Sequence, residues 1–348
     1  MSNLKKILEY IEENVDVQQR EKVKKGVIKA LNFENEKPIA TDAGISKPFK
    51  HLPYKETFYD MRAMLYNQLV PIANNIGADD YMVYSIRANY GTGILPSLFG
   101  AQNRLVDDYS MPWCEHLSML QVEECIEQGV PNLNMGLGGK VMETYEYYSE
   151  VLNGYPNAKD AIALYHPDLQ GPFDVAHLLF GSEIYLKLYD DCELVHRLLS
   201  LVTETYIAFM RKYLSLFGNE FDGYCHHWGT IHKGNIVIRN DSAVNLSLDM
   251  YKTFVKPYDN ELSREFGGVA MHYCGKDEVW LPDMIQNADI SGINFGFVPG
   301  NEYGIPFLKY VMSLAKEKKV PVVGYGLTKQ ELDTIKDTDL IQGVTFAA

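Results

Sequence analysis

The chain has 348 residues, 46% of them hydrophobic and 22% charged, and a net charge of −14. That length is enough for a substantial core and suits one large α/β barrel, while the ordinary composition excludes a disordered or fibrous class. The acidic balance argues against nucleic acid as the main ligand, no apolar run approaches a membrane span, and five cysteines without framework spacing read as reduced thiols in a cytoplasm.

In chain order, Leu4, Ile7, Leu8 and Ile11, then Val23, Val27, Ile28 and Leu31, recur at helical spacing. They predict two helices, an N-terminal extension over residues 1–35. A short strand is expected at 38–40 and a helix at 57–76. A second strand at 81–86 ends in Arg87, Asn89 and Tyr90, whose turn lacks the pattern of a phosphate loop. Residues 94–158 hold proline-broken short helices and are expected to form a lid-like insertion. A third strand at 161–165 delivers Tyr165, His166 and Asp168, and long helices follow over 173–189 and 191–217. A fourth strand is expected at 221–227, then Trp228-Gly229 and a polar loop reaching Ser242.

The stretch 269–275, Val-Ala-Met-His-Tyr-Cys-Gly, is an apolar run between glycines and reads as a buried strand. Further strands are expected at 292–295, 321–325 and 342–348, with helices between them. Eight strands alternating with helices imply parallel pairing, and the count favours a single (β/α)8 TIM barrel over all 348 residues. Reactive groups in such a barrel gather at the C-terminal strand ends. Side chains alternate along a strand, so His272 and Cys274 share a face and could hold a zinc ion. Against this stands the usual fate of a free cysteine, which is to be buried as packing. Alternation puts Cys225 with His227 on one face of the fourth strand and Tyr224 with His226 on the other, and either pair could supply a third ligand.

Several segments then carry a likeness. They are Gln170-Gly-Pro-Phe-Asp-Val-Ala, Asn240-Asp241-Ser242-Ala243 with the later Phe254-Val-Lys-Pro-Tyr258, Met271-His272-Tyr273-Cys274-Gly275, and Ser291-Gly-Ile-Asn294-Phe295. Over roughly 80–348 the chain resembles the uroporphyrinogen decarboxylase superfamily. That group includes the decarboxylase of haem synthesis and zinc-dependent methyltransferases that work with corrinoid proteins. The His-x-Cys-Gly is similar to the methyltransferase branch. The resemblance implies a zinc cofactor on His272 and Cys274, and a methyl group moved between a methylcorrinoid on a partner protein and a thiol or other small acceptor.

Two departures qualify it. Residues 43–49 lack the arginine of the haem-synthesis motif, which argues against that decarboxylase. The last strand, Gly343-Val-Thr-Phe-Ala-Ala348, ends without the third cysteine that the methyltransferases place after it, so Cys225 or His227 is expected to substitute. Asp241, His227 and Asn294 are the expected catalytic groups. Arg87, Asn89, Tyr90, Tyr165, His166 and Ser242 are expected to bind a small-molecule substrate. The alternatives are a metal-free lyase that guides a proton to a carbanion, and a non-catalytic barrel that binds a corrinoid or tetrapyrrole.

Overall fold

A computed structural model describes residues 3–41, 48–218, 223–276, 278–296 and 303–347. The stretch 43–47, where no arginine stands, lies outside the described residues. Twelve strands occur among them: β1 Ile39–Thr41, β2 Ser85–Ile86, β3 Asn103–Arg104, β4 Trp113–Cys114, β5 Ala163–Leu164, β6 Tyr224–His227, β7 Thr230–Lys233, β8 Ile236–Arg239, β9 Val269–His272, β10 Ile290–Asn294, β11 Val322–Gly326 and β12 Val344–Ala347. Six form a parallel central sheet in the order β1-β12-β11-β10-β9-β8. β2 and β5 form a separate parallel pair.

The central strands are nearly continuous apolar runs because helices cover them. Ile236, Val237 and Ile238 in β8, and Val269, Ala270 and Met271 in β9, are fully buried. Single backbone hydrogen bonds run between the two parallel sheets: Tyr81 N–H to Ala40 and Gly171 N–H to Arg239. His166 Nε2 accepts the Val237 N–H at 3.1 Å, a side chain standing where a strand neighbour would be. A six-stranded parallel sheet and a separate parallel pair are thus linked by single hydrogen bonds, and their ladders do not close into one sheet among the described residues. The architecture is mixed α/β with a parallel central sheet.

The expected fourth strand is corrected. β6 pairs antiparallel with β7 across Trp228-Gly229, so this stretch is a hairpin. The parallel strand is β8, within what the sequence suggested was a polar loop. Ile-Val-Ile is a β-branched core, but it is only three residues long between Gly234-Asn235 and Arg239-Asn240, too short to stand out by periodicity. The hairpin tip uses positive φ at both Trp228 (47°) and Gly229 (72°), the pattern of a two-residue turn matched to strand twist. β7 packs against β9, β10, β11 and the helix Val17–Leu31, whose Val27 joins Ile39, Ile231 and Val323 in one apolar cluster.

Residues 3–31 form the helices Asn3–Asn14 and Val17–Leu31, the second capped by the Asp16 side chain on Gln19 N–H. Within 94–158 the helix Gly138–Leu152 packs on the helix Cys192–Phe217, with Tyr145 and Tyr213 rings 5.0 Å apart. No helix among the described residues is long and apolar enough to cross a membrane.

Candidate metal centre and adjoining cavities

Strand register builds the site. Arg239, His272 and Asn294 stand side by side at the C-terminal ends of β8, β9 and β10. His272 Nδ1 lies 2.5 Å from Asn294 Oδ1. The Asn294 amide is oriented because its Nδ2 donates to Val323 O at 2.6 Å and its Oδ1 also accepts from Gly296 N–H at 3.1 Å. An oxygen with no proton to give requires His272 to carry its proton on Nδ1, leaving the Nε2 lone pair free. That lone pair faces Cys274 Sγ at 3.6 Å and Asp241 Oδ1 at 3.5 Å.

One nitrogen, one sulfur and one carboxylate oxygen thus lie within 4.8 Å of one another. Tetrahedral zinc with bonds of about 2.0–2.3 Å spaces its ligands about 3.3–3.8 Å apart, so this donor set fits zinc. Gly296 must lack a side chain here. A Cβ would sit 2.9 Å from Cys274 Sγ and 3.0 Å from His272 Cε1, and its φ is +66°. Burial, then the Asp241 charge, pushes the Cys274 thiol up to about 12. Burial opposes ionisation of Asp241, but the His272 contact and the Arg239 charge hold its carboxyl below the usual range.

Asp241 is itself held in place. The buried Asp174 carboxylate accepts the N–H of Asp241 at 2.7 Å and of Ser242 at 2.8 Å, while Asp241 Oδ1 accepts the Cys274 N–H at 3.0 Å. Burial, then the neighbouring Asp241, raises Asp174 to about 7. Ser242 Oγ bonds His177 Nδ1 at 2.9 Å, so Ser242 braces the loop and does not reach the cavity beside the cluster.

That cavity, of about 370 Å³, is bordered by His232, Arg239, His272, Cys274, Asn294 and Thr345. It gives the cluster an open side. His232 is fully buried with neither ring nitrogen hydrogen-bonded, and burial lowers it to about 3, so it faces the cavity as neutral imidazole.

Beside it lies a charged knot. Asp168 contacts Arg87 Nη1, Arg239 Nη1 at 3.0 Å, His227 Nε2 at 3.1 Å and Trp228 Nε1 at 3.1 Å. Burial resists ionisation of Asp168, yet Arg87 and then Arg239 hold it well below the carboxylate range. Burial drives His227 well below its ordinary value, so it stands beside Asp168 as neutral imidazole. His227 therefore belongs to this knot and does not join Asp241, His272 and Cys274. Cys225 does not join them either: it is buried against Val237 and Ala270, and burial raises its thiol strongly.

A second cavity, also about 370 Å³, lies across Trp228 and is bordered by Tyr54, Gln68, Ser85, Arg87, Asn89 and Tyr165. Arg87, Asn89 and Tyr165 are thus placed together, away from the zinc-compatible cluster. Tyr90 is buried, with its hydroxyl 2.8 Å from Thr144 Oγ1, and borders neither cavity. His166 is a backbone brace, its Nδ1 on Pro167 O at 2.8 Å. Sequence reasoning did not select Asp174 or Trp228 as site residues, and it read His232 as a solvated loop residue in preference to an anion contact. The Trp-Gly pair between two short β-rich runs was the available signal for the hairpin that carries two of them.

No family model matches the chain, and no curated protein matches it. Among solved structures, a methyltransferase from Methanosarcina mazei matches with a TM-score of 0.65 and 16% sequence identity, over 93% of this chain and 92% of that chain. At that identity the chain shares its fold with this methyltransferase.

Proposed function

We propose that the chain is a methyltransferase on a closed (β/α)8 barrel, with zinc held by Asp241, His272 and Cys274 and a thiol or other small acceptor in the first cavity. The observation that carries this reading is the convergence of three donors of the types zinc prefers, with the His272 tautomer set by Asn294. The six-stranded parallel sheet, the parallel pair β2–β5 and the hydrogen bonds that link them support the barrel. The shared fold with a methyltransferase is consistent with the chemistry.

Zinc in that position would supply an open place where an acceptor thiol is deprotonated and made nucleophilic at neutral pH. The chain's own residues do the rest. Asp241 and the Cys274 thiolate bring two negative charges against the dication, and Asp174 fixes where Asp241 points. His272 presents Nε2. The methyl donor would be a methylated corrinoid on a partner protein, by the resemblance of Met271–Gly275. The acceptor sulfur forms the new S–C bond, the donor keeps the electron pair of the broken bond, and the thiol proton leaves to water at the open side.

The test is metal analysis of protein purified without chelator or a histidine tag, beside methyl transfer from methylcobalamin to a small thiol. His272→Ala and Cys274→Ser are each expected to lose stoichiometric zinc and transfer, and Cys225→Ser to keep both. Wild-type protein that takes up no zinc, with a fully active Cys274→Ser variant, would leave a metal-free lyase acting through Asp241. Tetrapyrrole binding without turnover would leave a binding barrel.

A further inference from the structure

We propose that the second cavity, across Trp228 from the zinc-compatible cluster, is a binding site for a small carboxylate. Gln68 Oε1 is occupied by the Arg87 N–H at 3.1 Å, so the group Gln68 has left to offer is its NH2. Asn89 Oδ1 faces Arg87 Nη2 at 3.4 Å, a long contact, so Asn89 likewise offers its NH2. The Ser85 hydroxyl is buried with no hydrogen-bond partner. Arg87 Nη2, two amide groups and a hydroxyl therefore border one space with donors to spare, and their complement is a group that only accepts.

Charge points the same way. Among the described residues no acidic side chain and no lysine borders this cavity, in a protein with 46 acidic and 32 basic residues, and Arg87 is the single permanent charge there. Asp168 is shared between Arg87 and Arg239, and the neutral His227 adds nothing, so the knot carries one positive charge in excess. Arg87 faces one cavity and Arg239 the other. A planar guanidinium beside two amides suits a carboxylate better than a tetrahedral anion. Met64, Pro71 and Ile72, on the helix Met61–Asn75 that also carries Gln68, border the same space and leave room for an apolar substituent.

Trp228 is the partition. Its ring borders both cavities, lies 4.1 Å under the Arg239 guanidinium carbon, and meets the His272 ring at 4.7 Å. Occupancy of the second cavity is thus readable by indole fluorescence.

The test titrates wild-type protein with glycolate and propanoate, with glycolamide and inorganic phosphate as controls, following fluorescence and melting temperature. Saturable binding of the carboxylates with a raised melting temperature is expected, without a response to glycolamide. Trp228→Phe should remove the fluorescence response and keep the melting shift. Asn89→Ala should weaken binding about tenfold with its unliganded melting temperature unchanged, since it removes one charge-assisted donor set. Arg87→Lys should lose binding, and Asn89→Ala carries the test if that variant fails to fold. Cys274→Ser should bind as wild type does, which separates this site from the zinc reading. Carboxylate binding that is absent, equalled by glycolamide, surpassed by phosphate, unchanged in Asn89→Ala, or lost in Cys274→Ser would overturn the assignment.

Discussion

Replacing Asn294 by leucine tests the centre through a residue that touches no metal. Asn294 fixes the proton of His272 on Nδ1 through a 2.5 Å hydrogen bond. Removing such a partner costs about 10–100-fold in metal affinity, or about 1.4–2.7 kcal/mol. Leucine also strands Val323 O and Gly296 N–H, whose bonds to Asn294 are 2.6 and 3.1 Å. Each unsatisfied group costs about 1–3 kcal/mol of stability, so Asn294→Leu should fold less stably as well as bind less zinc. Asn294→Asp separates the two effects. It keeps an acceptor for His272 Nδ1–H and strengthens it, while placing an oxygen against Val323 O. Zinc affinity should stay at the wild-type level or rise, and stability should fall. The assay is competition with a chromophoric zinc chelator near neutral pH, beside urea unfolding of each apo protein. A folded Asn294→Leu variant that holds zinc as tightly as wild type would refute the tautomer argument.

Zinc affinity should rise with pH by about tenfold per unit from about pH 7 to 9, because the Cys274 thiol, pushed up to about 12, must release its proton on binding; Cys274→Asp should flatten that slope in the same chelator assay. Asp174→Asn leaves one oxygen to accept two N–H groups, so it should cost about tenfold in zinc affinity through Asp241, measured by the same competition. Asp174 also has a stability signature. Its folded value near 7 exceeds the unfolded 3.8, so the native state binds more protons in between, and wild-type stability should fall relative to Asp174→Asn as pH rises from about 4 to 7. Urea midpoints across that range check the sign. Cys225→Ser should keep full zinc and lose about 1–3 kcal/mol, because it buries a hydroxyl against Val237 and Ala270.

The glycine-flanked run at 269–275 was legible because local punctuation, an apolar core and side-chain alternation all act within seven residues. The same alternation failed at Cys225 and His227. It places both on one face of a strand, but says nothing of which sheet that strand joins, and β6 pairs with β7 instead of entering the parallel order. Asp241 was visible as a polar residue in a loop, yet its nearness to His272 depends on β8 pairing with β9, a contact between residues over thirty positions apart. Asp174 was hidden for a further reason. It sits near the start of the helix Pro172–Phe180, where an acidic residue is expected as a favourable first-turn charge. Only the packing of that helix on the 240–242 loop turns it into an acceptor for two backbone N–H groups.

The hairpin tip joins these features. A tryptophan at φ +47° is in a backbone region that bulky side chains rarely occupy, and such strain costs about 1–3 kcal/mol. Asparagine would suit that turn position far better. The contacts that offset the strain are specific to indole: Nε1–H on Asp168, a face under Arg239 and an edge on His272. Each of those partners belongs to a different element, so the tip couples the β5 end, β8 and β9 at one point. A smaller residue there would merge two cavities of about 370 Å³ and leave the Asp168 knot open to water. The strain is therefore best understood as the cost of keeping the cavity beside His272 and Cys274 apart from the one beside Arg87, while Arg87 and Arg239 both draw on the Asp168 carboxylate.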